Sequence, residues 1–212
     1  MENEQAIGTT KERLIVFTRY PEPGKTKTRM MPILGAEGAA MLQRKLTENT
    51  LLRVKELAAY RPLSIEVHFT GGTEQQMQAW LGSDWSYQPQ VEGDLGERMA
   101  SAFATSFAAG ITRVVTIGID CPDLKASLLE QAFETLKIYD LVLGPAEDGG
   151  YYLIGLKRMI GELFVGISWG TSQVRQQTVE IANQLNLKTA FLPLLKDIDR
   201  PEDLSGELRI EN

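Results

Sequence analysis

Within the segment Arg19–Arg29 (RYPEPGKTKTR) four cations, Arg19, Lys25, Lys27 and Arg29, stand against one acid, Glu22. Carboxylates gather later in the chain: Asp120 in DCPD at 120–123, Asp148 in GPAEDGG at 144–150, and Asp197 and Asp199 in the triplet DID. Guanidinium and ammonium groups grip phosphate oxygens, and carboxylates hold hard divalent ions. Together the two sets have the chemistry of a phosphate group bridged to protein acids by Mg²⁺ or Mn²⁺.

Each motif also has a plainer reading. Gly24 permits close backbone approach to a ligand, and Gly24-Lys25-Thr26 echoes a phosphate loop. A Walker loop needs glycine where Arg19 stands, so that motif is excluded and the segment is either a phosphate-binding loop or a solvated basic one. Asp120 ends an apolar run, where it has no capping duty, and is a candidate for catalysis and for the metal. Asp123 fits better as a helix cap. Asp197 and Asp199 are two apart in an extended stretch and can converge with Asp120 on one ion, or they belong to a charged turn before Pro201. Asp148 before Gly149-Gly150 is a candidate general base or acceptor-orienting group, or part of an Asp-Gly turn. Gly93 and Asp94 (GDLGERM at 93–99) are candidates for nucleoside contact, although Asp94 and Glu97 also have the spacing of a capping box. Trp169 is a candidate acceptor wall. Cys121 has no evident base beside it, and His68 is expected on a solvated strand face.

Positioning these groups requires a scaffold, and the hydrophobic pattern supplies one. Strands are expected at Arg13–Thr18, Leu63–Phe69, Arg113–Ile119, Asp140–Leu143, Tyr151–Leu156 and Lys188–Leu194. Helices are expected at about Ala36–Ala59, Gln75–Leu81, Glu97–Ala109, Leu124–Lys137 and Gln173–Leu185. This alternation implies a mostly parallel sheet flanked by helices, in which ligands sit beyond the carboxyl ends of the strands. The basic loop and all the acidic segments follow such strands. The 212 residues are expected to form one domain, with 1–12 and 205–212 as loose termini.

Composition excludes several classes. One histidine and one cysteine are too few for a zinc site, and one cysteine makes no internal disulfide. A net charge of −6 argues against nonspecific nucleic-acid binding, so an anionic partner must meet a local basic cluster. No apolar run reaches the ~20 residues of a membrane span, and the polar start lacks signal-peptide character, so a cytoplasmic location is expected. The oligomeric state has no signature in the sequence.

PEPGKTKTRM at 21–30, GDLGERM at 93–99, IGIDCPDL at 117–124, GPAEDGGYYLIGL at 144–156, ISWGTSQV at 167–174 and DIDRPEDL at 197–204 occur in order along nearly the whole chain. Together they resemble the small bacterial GT-A-like glycosyltransferases associated with radical-SAM and selenium-related proteins. These belong to the nucleotide-diphospho-sugar transferase superfamily and are similar to phospholactate guanylyltransferases. The resemblance implies a GT-A-like α/β fold, with Asp120, Asp197 and Asp199 matching metal-site carboxylates and Arg19, Lys25 and Arg29 the phosphate-binding loop. Arg19 stands where lysine is usual, Arg200 where threonine is usual and Glu92 where a glutamine-like contact is expected. The function expected is metal-dependent glycosyl transfer from a nucleotide-diphospho-sugar to a small-molecule acceptor. One alternative is guanylyltransferase-like nucleotidyl transfer from a nucleoside triphosphate to a small phosphorylated acceptor. Another is a non-catalytic nucleotide-binding protein.

Overall fold

The computed structural model describes residues 11–204. Seven strands alternate with five helices: β1 Glu12–Arg19, α1 Met31–Ala58, β2 Ser64–Thr70, α2 Glu74–Leu81, β3 Ser86–Pro89, α3 Leu95–Ala108, β4 Arg113–Ile117, α4 Ala126–Thr135, β5 Leu141–Pro145, β6 Tyr151–Leu156, α5 Val174–Gln184 and β7 Thr189–Phe191. They form one sheet in the order β3-β2-β1-β4-β6-β5-β7. Only β6 runs against its neighbours, antiparallel to both β4 and β5. The expected α/β architecture, a mostly parallel sheet between helices, is the one found. None of the described helices is long and apolar enough to cross a membrane.

Helices cover both faces, which is why strands such as β4 (RVVTI) are apolar on each side. One face, carrying Leu14, Val16, Val115 and Ile117, packs under α1 and α4 through Leu42, Leu46, Leu129 and Phe133. The other, carrying Ile15, Val114 and Ile154, packs under α3 through Met99 and Phe103. Gly35 breaks α1 near its start with φ 68° and ψ 175°, a conformation open mainly to glycine, so the continuous helix begins where the sequence periodicity begins. The pairing of β5 with β6 slips at Gly144/Pro145. Tyr151 consequently packs with the α3 face while Tyr152 joins the α1 face, displacing the expected alternation by one residue.

Three expectations change. The strand β3 was not expected; four residues, SYQP, are too few to show a period, and the register with β2 defines it. His68 is not solvated. It is buried, stacks on Phe17 at 5.6 Å and meets Glu66 Oε2 at 2.9 Å. The polar face of β2 lies on the side of the sheet that carries Ile15 and Phe17, and Arg13 of β1 joins Glu66 at 2.8 Å and the Ser106 hydroxyl of α3 at 3.3 Å to satisfy it. Glu12, expected in a loose terminus, opens β1 and is buried between Arg61 and Arg113, at 2.6 and 2.7 Å. Burial works to raise its pKa, but the two guanidinium groups hold it below the usual carboxylate value. The rest of the loose-terminus expectation, 1–10 and 205–212, lies outside the described residues.

Candidate functional site

A cleft of about 630 Å³ opens at the carboxyl ends of β1, β4 and β5. Its walls bring together Arg19, Lys25 and Arg29 from the first loop with Asp120, Asp148, Asp197 and Asp199 from the later segments, and Trp169 lines it as well. Arg19 is exposed at the end of β1 and pairs with no acid among the described residues. Lys25 meets Glu22 at 2.8 Å, both side chains largely exposed. Gly24 takes φ +81° in the turn before Lys25, with no atom within 4 Å of the space its side chain would fill. Its glycine character therefore serves the turn.

Lys27 is the residue the sequence did not single out. It sits in the left-handed region at φ 45°, ψ 43°, and its side chain is 5% exposed. From there Nζ donates to the Ile198 carbonyl at 2.6 Å and reaches Asp120 Oδ1 at 2.8 Å and Asp199 Oδ1 at 3.5 Å. The Ile198 amide donates to the Asp120 carbonyl at 2.8 Å, so the last segment is strapped to the end of β4 from both sides. Arg29 also bonds Asp199.

These contacts involve two of the three acids of the expected metal centre, Asp120 and Asp199. Asp199 faces Lys27 and Arg29, and among the described residues no group of three histidine, cysteine or acidic side chains stands in place to hold a metal ion. Asp197 differs from Asp199. Its Oδ1 accepts the Asp148 amide at 3.3 Å, and burial together with the Asp148 charge pushes its pKa up. An acid whose charged form lacks a cation beside it is the donor chemistry that a hard divalent ion satisfies. Two protein carboxylates with substrate phosphates completing the shell are a common Mg²⁺ arrangement. Asp197 fits that role, and so does Asp120 through the carboxylate oxygen that Lys27 does not engage.

The charges of Asp120, Asp197 and Asp148 all act on Cys121. Burial first, then these three carboxylates, drive the pKa of Cys121 far up, which keeps its thiol neutral and removes it as a nucleophile. Asp148 is exposed, and its Oδ1 accepts the Gly150 amide at 2.7 Å, so the turn reading is correct in geometry. Its side chain nevertheless reaches the cleft. Gly149, at φ +91°, lies against the backbone of Ser172, and the Arg175 amide donates to the Gly149 carbonyl at 3.0 Å. The start of α5 therefore clamps this turn.

Gly93 and Asp94 do not line the cleft. Asp94 Oδ1 accepts the Glu97 amide at 2.9 Å and Glu97 Oε2 accepts the Asp94 amide at 2.8 Å, a complete capping box on α3. Gly93 takes φ +122°, a conformation that residues with a side chain rarely adopt. Leu95 and Met99 of the same helix do reach the cleft. Asp123 does not cap α4, which begins at Ala126 after an uncapped Lys125. Asp203 Oδ2 instead accepts the Arg200 amide at 2.6 Å and the Asp199 amide at 3.0 Å, closing the turn after the last acids.

Comparison with solved structures places this arrangement. A Desulfovibrio desulfuricans G20 protein provisionally described as a nucleotide-diphospho-sugar transferase is 36% identical, with a TM-score of 0.84 over 90% of this chain and 83% of that one. The 4-diphosphocytidyl-2C-methyl-D-erythritol synthase of Anaerococcus prevotii DSM 20548 superimposes with a TM-score of 0.61 at 12% identity, covering 92% of each chain. Rv0371c of Mycobacterium tuberculosis H37Rv, solved as a complex with manganese, gives 0.53 at 13% identity, over 92% of this chain and 96% of that one. The last two share the fold. No curated protein matches the chain. Residues 53–171 match the family described as "Uncharacterized protein conserved in bacteria (DUF2064)", and the chain belongs to that family, built on the fold of nucleotide-diphospho-sugar transferases.

Proposed function

We propose that this protein is a transferase that uses a nucleotide-diphospho-sugar and moves its glycosyl group to a hydroxyl of a small acceptor. The observation that carries this reading is the lining of one cleft by exposed cations of the β1 loop, Arg19, Lys25 and Arg29, together with Asp120, Asp148 and Asp197. The described span supplies every part of it, in keeping with a single catalytic domain. Arg19, Lys25 and Arg29 bind the diphosphate and stabilise the charge that grows as it departs. Asp120 and Asp197 would hold Mg²⁺ or Mn²⁺, whose chemistry when bound is neutralisation of charge on phosphate oxygens. Asp148 keeps Oδ1 on the Gly150 amide, and its second oxygen takes the proton of the acceptor hydroxyl. The acceptor oxygen forms its bond to the anomeric carbon, the bond from that carbon to the diphosphate breaks, and a nucleoside diphosphate leaves with the electron pair.

A second reading, guanylyltransferase-like nucleotidyl transfer to a phosphorylated acceptor, uses the same walls. It is favoured by the exposed cations Arg19, Lys25 and Arg29, which suit a triphosphate as well as a diphosphate. Incubation with nucleotide sugars and nucleoside triphosphates, Mg²⁺ or Mn²⁺ and mixed acceptors, followed by mass spectrometry, separates the two. Nucleoside diphosphate release supports glycosyl transfer, pyrophosphate release replaces it with nucleotidyl transfer, and binding without either product leaves a nucleotide-binding protein.

A further inference from the structure

Two glutamines stand on the cleft wall, Gln43 from α1 and Gln90 just after β3, and the mechanism above uses neither. Gln43 is 5% exposed. Its Nε2 donates to the Arg19 carbonyl at 3.1 Å and to the Thr18 hydroxyl at 3.3 Å. The proton directions follow from the buried neighbours. Thr47 Oγ1 donates to the Gln43 carbonyl at 2.9 Å, so the 2.8 Å contact between Thr18 and Thr47 has Thr18 as donor. Thr18 Oγ1 is then an acceptor toward Gln43. A backbone carbonyl only accepts, so the amide nitrogen and not its oxygen must face Arg19.

Gln90 is pinned in the same sense. Its Nε2 donates to the His68 carbonyl at 2.9 Å and lies 3.5 Å from the Thr18 carbonyl. Turning either amide over would set oxygen against oxygen. Both side chains therefore have their N–H groups tied to the ends of β1 and β2, and no donor among the described residues engages either amide oxygen. The cleft thus carries two fixed acceptors beside a cationic loop.

Resting on the nucleotide reading above, we propose that Gln43 and Gln90 recognise the nucleoside by a pair of hydrogen-bond donors. Phosphate oxygens only accept, so these amides reject the phosphate end and leave it to Arg19, Lys25 and Arg29. Two parts of a nucleoside offer adjacent donors: a base edge with neighbouring N–H groups, as in guanine, and the 2′ and 3′ hydroxyls of ribose. The shared requirement is the donor pair.

The test is calorimetry on the wild type and the Gln90→Met and Gln43→Met variants, with Mg²⁺ present. The probes are inorganic pyrophosphate, GDP, IDP, UDP and 2′,3′-dideoxy-GDP. Wild type should bind a nucleoside diphosphate more tightly than pyrophosphate, and each variant should lose about 5- to 100-fold for that nucleotide while pyrophosphate binding is unchanged. A loss that is smaller for IDP, which lacks the exocyclic amine, assigns the donors to the base. A loss that vanishes with dideoxyribose assigns them to the sugar. The inference is overturned if both variants bind every nucleoside diphosphate as the wild type does, or if wild type binds none better than pyrophosphate. Absence of any binding, pyrophosphate included, removes the nucleotide reading itself and this inference with it. Gln90 is half-buried at the cleft edge, so its variant stands as the test even where Gln43→Met fails to fold.

Discussion

Replacing Lys27 by methionine removes one ammonium group from three contacts while keeping most of the side chain's volume. The pairs with Asp120 and Asp199 involve carboxylates 45% and 33% exposed, so each is worth no more than about 1 kcal/mol after solvent screening. The bond to the Ile198 carbonyl is charge-assisted and made by a side chain 5% exposed, which places it at about 1.5–3 kcal/mol. Desolvation of the ammonium offsets part of the total, leaving an expected loss of ~2–3 kcal/mol. For a domain of this size that is a fall in Tm of about 4–12 °C, read by calorimetric melting. The reasoning fails if Lys27→Met melts within ~1 °C of wild type, since ~2 kcal/mol cannot hide in so small a shift.

Lys25→Ala and Arg29→Ala should weaken nucleotide binding by roughly 5- to 150-fold in calorimetry, with ligand-free Tm nearly unchanged, because both side chains are more than half exposed. Asp197 has a raised pKa, so the folded state binds its proton more tightly than the unfolded state and stability falls as pH rises through that range. Asp197→Asn should therefore raise Tm near neutral pH, with the gain shrinking toward acid, and should abolish the added stabilisation by Mg²⁺ or Mn²⁺. Gly96→Ala would place a methyl 2.5 Å from the Trp169 indole nitrogen and 2.6 Å from the Phe164 carbonyl. Overpacking of ~1–3 kcal/mol and a shifted Trp169 emission should follow, checked by melting and fluorescence. Asp148→Asn, folded and nucleotide-binding, should lose turnover; full turnover would leave Asp148 as a turn residue alone.

The architecture was legible because burial imposes periods: β1, β4 and β6 are short apolar runs, and α1 repeats at helical spacing from Gly35 onward. The capping box at Asp94 and Glu97 was legible for the same local reason. What failed depended on partners distant in sequence. Alternation assigned His68 to a polar face but could not reveal that Phe17 and the Arg13–Glu66 pair bury it there. Two-residue spacing brought Asp197 and Asp199 to the same region, yet Arg29 and Lys27, some 170 positions away in the chain, decide that only Asp197 is left without a cation. Nothing in the sequence marks Lys27 above Lys25, because its role comes from a backbone conformation. The direction of the Gln43 and Gln90 amides is equally invisible, being set by carbonyls at the ends of β1 and β2.

The strand order has a consequence for synthesis. β1, β2 and β3 are contiguous in the chain and pair as they emerge, but the second neighbour of β1 is β4, which begins at Arg113. At roughly 5–20 residues per second, the gap between completing β1 and completing β4 is on the order of 5–20 s. Through that interval the apolar strand β1 has one unpaired edge, open to another chain. The second half meets a further delay: β5 bonds to β6 and β7 rather than to β4, so it can dock only once the later antiparallel strand has filled the space between them. The nascent protein therefore passes through a stage in which the half carrying the basic loop is paired while the acidic half is unplaced. Encounters between such half-made chains are the point at which overproduction should yield aggregates, and slowing synthesis after Ile117, which lengthens that stage, should raise that yield.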